Sequence, residues 1–254
     1  MKSSTSQDLK DVRDPACSPA RLLELASHEK RFILSLLLRN PNTPPEALQV
    51  IANQKLDERL ARALARHPRL SAETLQYLAG SEFLTVQQAV AQHLNTSPPM
   101  LHALSLRGLA VQRALAKNPA LPTELIHRLA SLTDSQLGWS LAQNPNTPPA
   151  IALRLAEKFP EALLKNPALA LILLERPEAI SEMSEKLANA FLYMKTPPSW
   201  LWEGISAQQN KYTRIIAAKH TLAPVWLLKK LSEDENETVR KAARENPRYL
   251  ESNA

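Results

Sequence analysis

Glycine is scarce in this sequence. Four glycines, Gly80, Gly108, Gly138 and Gly204, are scattered among 254 residues that include 20 prolines. Average usage is roughly 7% Gly and 5% Pro, so the ordinary ratio is inverted. A phosphate-binding loop, a Rossmann turn and a sandwich with tight hairpins all need glycine where φ is positive, and isolated glycines suit none of them. Cysteine is scarcer still. A single Cys17 excludes an intramolecular disulfide framework and any four-cysteine metal or iron–sulfur site. The longest apolar runs, Phe32–Leu38 (interrupted by Ser35) and Ala168–Leu174, fall far short of the roughly 20 residues a membrane helix needs. The N-terminal MKSSTSQDLKD lacks the apolar segment of a secretory signal, so a reducing cytoplasm is the expected compartment. Aromatics are only 5%, which leaves the packing to Leu and Ala, both strong helix formers. The net charge of +6 favours an acidic partner wherever the cations gather on one face.

The prolines are regularly placed. Asn-Pro-x-x-Pro occurs at Asn40–Pro44, Asn118–Pro122 and Asn144–Pro148, with looser copies at Asp14-Pro15, His67-Pro68, Asn166-Pro167 and Asn246-Pro247. His93-Leu94 and His220-Thr221 fill the slot without proline, and Met194 fills the last gap. Taking the second residue of each pair as an anchor gives 15, 41, 68, 94, 119, 145, 167, 194, 221 and 247, in steps of 26, 27, 26, 25, 26, 22, 27, 27 and 26. Such periodicity is the signature of a stacked-repeat protein.

Columns counted from the anchor describe two helices per repeat. Leu22, Leu48, Leu75, Leu101, Ile126, Leu201 and Leu228 stand at +7, and Leu25, Ile51, Leu78, Leu104, Leu129, Leu155 and Leu231 at +10. Small residues from Ala26 to Ser232 follow at +11. Upstream, Ile33, Leu60, Val86, Val111, Leu137 and Val239 stand at −8, and Leu37, Leu64, Val90, Leu115, Leu141 and Leu163 at −4. Spacings of three and four put each set on one helical face. Thr43-Pro44-Pro45-Glu46 reads as a capping box with Thr43 as the cap.

The Asn-Pro-x-x-Pro joint, with segments such as Glu237–Pro247, resembles the leucine-rich repeat variant family over nearly the whole chain. That resemblance implies an α-helix paired with a 3₁₀-helix in each repeat and repeats stacked into a right-handed superhelix. The family includes a form with a 4Fe–4S cluster on cysteines ahead of the repeats; with Cys17 alone, no cofactor is expected here. The expected fold is therefore all-α, a right-handed superhelical solenoid of about nine to ten two-helix repeats of about 26 residues each. Residues 1–11 are expected to form a disordered tail, 12–250 one solenoid, and 251–254 a short C-terminal tail. The step of 22, with Pro177 and the weakly patterned 178–190, marks a degenerate repeat around 160–194. It is either a drifted copy that kinks the stack or a bend that shapes a pocket.

Chemistry-bearing residues mostly find structural roles. His67, His93 and His220 share the −1 column with Asn40, Asn118, Asn144, Asn166, Asn246 and Asp14, where a short polar group can satisfy turn backbone. His28, His102 and His127 are isolated, without the spacing of zinc ligands. Cys17 falls in a turn column with Thr43, Thr96 and Thr147. No nucleophile elbow is present. Glu46, Glu73 and Glu124 share a first helical turn, where they suit the helix dipole. No catalytic residue and no metal site is expected.

The basic residues are more informative. Column −2 holds Arg39, Arg66, Gln92, Lys117 and Gln143, and column −6, one turn earlier, holds Arg62, Gln88 and Arg113. Arg31 and Arg59 extend this ridge, which from Arg31 to Gln143 is read as Arg, Lys, Gln and Ser with no carboxylate. It suits an acidic protein or a nucleic-acid backbone, since Arg forms paired hydrogen bonds with either, although a solvated outer face would look similar. Aromatics cluster late. Trp200 reads as core filling, while Trp139, Trp202 and Trp226 are candidate partner contacts. The leading expectation is a non-enzymatic, monomeric binding or scaffold module for an acidic protein or nucleic acid. The alternative is an enzyme acting on nucleic acid that resembles the helical-repeat alkylpurine DNA glycosylases, with Glu161 and Trp139 as its only carboxylate–aromatic pairing.

Overall fold

A computed structural model describes residues 5–175, 184–192, 197 and 199–252. All regular structure among them is helical, in helices of five to nine residues. The chain divides into two compact units, Met1–Leu132 and Thr133–Ala254, where the sequence suggested one solenoid. The first contains α1 (Thr5–Arg13), α2 (Pro19–Leu25), α3 (Arg31–Leu37), α4 (Pro45–Ala52), α5 (Glu58–Ala65), α6 (Ala72–Ala79), α7 (Leu84–Gln92), α8 (Pro98–Ser105), α9 (Leu109–Leu115) and α10 (Thr123–Ala130). The second contains α11 (Ser135–Gln143), α12 (Pro149–Ala156), α13 (Pro160–Leu164), α14 (Leu169–Glu175), α15 (Glu185–Leu192), α16 (Ser199–Ser206), α17 (Lys211–Lys219), α18 (Val225–Leu231), α19 (Glu237–Arg244) and α20 (Pro247–Glu251). In the first unit the odd-numbered helices pack on one another from α1 to α9, and the even-numbered ones from α2 to α8. In the second unit the odd-numbered helices from α11 to α19 form such a layer. Each repeat thus supplies one odd helix, a proline turn and one even helix.

The hydrophobic columns are what these layers bury. Ile33, Val86, Val111, Leu137 and Val239 at −8, and Leu48, Leu75, Leu101, Ile126, Leu201 and Leu228 at +7, are fully buried. A seven-residue helix is marginal in isolation, so this shared core holds the helices in place. Both helices of a repeat are α-helical: Leu48, Leu75 and Leu101 donate to Pro44, Ser71 and Ser97 four residues back. The 3₁₀ geometry implied by the family resemblance is not found among the described residues. The variation in step from 25 to 27 falls in the loop from an even helix to the next odd one, where six to eight residues separate the +11 and −8 columns.

The joints are held by a buried ladder of side chains on backbone. At −1 positions such as 118, 166 and 246 an asparagine closes its own turn and reaches the preceding repeat. Asn118 Oδ1 accepts from the Ala120 N–H (2.8 Å), and its Nδ2 donates to the carbonyls of Ala91 (2.8 Å) and His93 (3.0 Å). Asn166 does the same with Ala168, Ala142 and Asn144, and Asn246 with Arg248, Ala218 and His220. Asn40 reaches the Val12 carbonyl at 3.0 Å. Histidine fits the same place. His67 Nε2 donates to the Asn40 carbonyl (3.0 Å) while Nδ1 accepts from the Arg69 N–H (3.3 Å), and His93 bridges the His67 carbonyl and the Asn95 N–H.

Three expectations are corrected. Thr43 does not cap α4: its hydroxyl donates to the Leu37 carbonyl at 2.6 Å, and Pro44 is the residue at the helix start. Thr96 and Thr147 bond the Val90 and Leu141 carbonyls in the same way. The column therefore closes the preceding odd helix, adding a second donor to a carbonyl that the −1 backbone N–H already meets. Residues 5–11, expected to be a disordered tail, belong to α1. Their polar composition hid the reason for order: Arg21 pairs with Asp8 (2.6 Å) and Asp11 (2.9 Å) while Val12 is buried. The expected C-terminal tail begins inside α20, which runs to Glu251.

At the step of 22, α13 shrinks to five residues and Phe159 precedes it. The phenyl ring lies over Gly138, where an added Cβ would stand 2.7 Å from it. Pro177, residues 178–183 of the weakly patterned segment, and the Met194 anchor lie outside the described residues, as does Tyr193.

Two stability changes follow. Asn118→Ala leaves two buried carbonyls and one turn N–H without their side-chain partner and should lower the unfolding free energy by about 3 kcal/mol. Asn118→His, which copies the preceding joint at His93, should cost less than half as much in the same urea titration. Thr213 stands in the −8 column, fully buried, with its hydroxyl unpartnered. Thr213→Val, matching Val86, Val111 and Val239, should raise stability by about 1 kcal/mol.

Candidate binding surface

The proline turn ends each odd helix and leaves its last turn facing solvent at −2, because −1 and −3 are taken up by the ladder and the core. Arg39, Arg66, Gln92 and Lys117 are accordingly exposed, as is Arg62 one turn earlier. Among the described residues, Arg39, Arg62, Arg66 and Lys117 form no ion pair with a carboxylate. Each of the three −2 cations also sits at the carbonyl end of its own helix, a placement that stabilises by roughly 0.3–1 kcal/mol.

The remaining ridge residues are less uniform. Gln88 is half-buried and donates to the Ala110 carbonyl of the next repeat at 3.3 Å. Arg113 is half-buried, and Arg59 is exposed. Arg31 is corrected: it starts α3 and pairs with Asp57, the capping residue of α5. The Asp57 carboxyl is held below the usual carboxylate range, chiefly by the Leu60 N–H, with Arg31 beside it. A carboxylate thus enters the ridge at its first residue. Gln143 is half-buried and belongs to the second unit. Arg13 was missed: it occupies the −2 position of the first anchor, just past the supposed tail and at the end of the unexpected helix α1. It is exposed and shares a depression with Arg39.

Among the aromatics, Trp226 is exposed, in keeping with the column it shares with Glu46, Glu73 and Glu124. Trp202 is corrected from partner contact to core: it is 5% exposed, with its ring 5.3 Å from that of His220. Its column, which holds Leu23, Gln49, Gln76, His102, Leu153 and Lys229 among others, is exposed or half-buried, so position alone pointed outward. Trp139 is half-buried, edge-on to Phe159 at 6.1 Å, with Lys165 Nζ 5.7 Å from its ring. Glu161 is exposed. Trp200 packs edge-on against the buried Phe191 at 5.2 Å. Burial, with Asp11 and Asp14 nearby, pushes the Cys17 thiol up, away from the thiolate. His28 lies 3.5 Å from Asp8, and His102 3.6 Å from Glu124.

A polar joint of asparagine or histidine thus recurs about every 26 residues between two α-helices. Residues 34–94 match the family model of the Leucine Rich Repeat Variant domain. This Leucine Rich Repeat Variant segment runs from α3 to the end of α7, and includes the joints at 41, 68 and 94 and the cations Arg39, Arg62 and Arg66. No curated protein and no solved structure matches the chain.

Within that segment His67 is a joint group that titrates. Its Nε2 must carry hydrogen to reach a carbonyl, and its Nδ1 must be bare to accept from Arg69, so the ring is neutral. Burial lowers its pKa from the ordinary 6.5, and Arg69 and His93 push the same way against the Asn40 hydrogen bond. Below pH about 6.5 the unfolded chain takes up a proton that the folded chain resists, so stability falls with acidification. Urea unfolding midpoints should drop between about pH 7.5 and 5.5, and the drop should be smaller in His67→Asn, which keeps the rung without the titration.

Proposed function

We propose that the chain is a non-catalytic binding module that holds an acidic macromolecular partner on the exposed cations of its odd-numbered helices. The supporting observation is the group Arg39, Arg62, Arg66 and Lys117, all exposed and none paired with a carboxylate among the described residues. Charge distribution points the same way. Residues 1–132 contain 16 Lys and Arg against 11 Asp and Glu, whereas residues 133–254 contain 15 against 14. Arginine in a repeated column offers planar paired donors to carboxylate or phosphate, and a fixed helix frame keeps those donors in order.

Gln92 and Gln143 show that the −2 column tolerates an uncharged residue of similar length. The test is therefore a quadruple replacement, Arg39→Gln, Arg62→Gln, Arg66→Gln and Lys117→Gln. Fluorescence anisotropy with acidic probes, both peptide and nucleic acid, should show binding by the parent chain that weakens steeply between about 50 and 200 mM salt. The quadruple variant should bind at least about tenfold more weakly with an unchanged helical circular dichroism spectrum. Undiminished binding by the variant, or no binding by the parent at low salt, would overturn the proposal.

A further inference from the structure

The cations of the first unit border grooves at matching places in different repeats. Between the ends of α1 and α3 lies a groove of about 220 Å³, rimmed by Arg13 and Arg39 and walled by Val12, Leu36, Pro15 and Pro41. Between the ends of α5 and α7 lies another, of about 390 Å³, rimmed by Arg66 and Gln92 and lined by Ala65, Ala89, Pro68 and Leu94. Neither contains a carboxylate, Phe, Tyr or Trp, and His93, which lines the second, is buried in the joint. Leu94 is 65% exposed, at an anchor where most repeats carry proline, so an aliphatic side chain faces solvent between two polar rims.

We infer that the face carrying these two grooves takes an extended acidic peptide, with carboxylates on the rim side chains and small apolar side chains in the grooves. The inference rests on the acidic-partner reading above and names the class of partner. Spacing supports it. Stacked helices lie roughly 8–10 Å apart, and three residues of extended chain span roughly 10 Å. Every third residue of such a peptide therefore meets the next rim, and the residues between them meet apolar lining. A DNA duplex matches less well, because it presents one charge per roughly 1.7 Å to a column offering one or two cations per helix. Single-stranded nucleic acid is held by aromatic platforms, and neither groove supplies one.

The test uses three fluorescein-labelled probes with the full chain. One is a peptide of about fifteen residues with Asp at every third position and Val-Ala between, long enough to span about five helices. The second has the same composition with its Asp residues contiguous, and the third is oligothymidine of equal charge. The spaced peptide should bind at least about tenfold tighter than the contiguous one, and tighter than oligothymidine. Leu94→Asp should remove that preference while the circular dichroism spectrum stays unchanged. Equal binding of the two peptides, tighter binding of oligothymidine, or an undiminished preference in Leu94→Asp would overturn the peptide assignment and leave the acidic-partner reading standing. Failure of all three probes at low salt would overturn both.

Discussion

A side-chain amide or imidazole bonded to the backbone of the preceding repeat is the interaction on which the rest of this structure depends. Helices of five to nine residues gain little from their own hydrogen bonds, and an odd helix interrupted by proline leaves carbonyls without partners. The −1 side chain meets both needs, satisfying turn N–H and helix-end carbonyl while fixing the distance to the next repeat. Asparagine and neutral histidine fill the same place because each sets an acceptor atom and a donor nitrogen on separate corners of one flat group. Asn118, Asn166 and Asn246 reach two carbonyls each, whereas His67 reaches one and brings a titrating ring into a buried joint.

Periodicity made the helices legible from residues alone, because the −8, −4, +7 and +10 columns repeat an apolar choice that only burial rewards. The chemistry of each joint was less so. Thr43 carries the same hydroxyl whether it caps the helix after it or closes the one before it, and its direction depends on the path of the Pro44 backbone. Trp202 stands in a column of exposed and half-buried residues, yet its ring covers His220. A column records which way a position points on average, and a large flat side chain can fold back from it. Asp8 and Asp11 looked like a solvated tail because their partner, Arg21, lies in the following helix.

The candidate surface divides along the same line. That −2 is exposed follows from the ladder and core occupying its neighbours, so Arg39, Arg66, Gln92 and Lys117 could be placed from the repeat register alone. Whether a cation is available depends on partners outside its column. Arg31 meets Asp57 from the next repeat, and Gln88 spends its amide on Ala110. Arg13 went unnoticed because its helix did. What remains is a smaller set of cations, concentrated in the first unit and alternating with apolar depressions.

The loops after the even helices are where the repeat changes length, and this gives the chain an asymmetric tolerance. An extra residue there leaves every rung opposite its carbonyl, as the steps of 25 and 27 already demonstrate. The same residue placed between the −8 and +11 columns would carry an asparagine past its acceptor and pull adjacent modules apart. Tags, cleavage sites and reporter loops therefore belong in the loops after the even helices, while the proline joints count residues strictly.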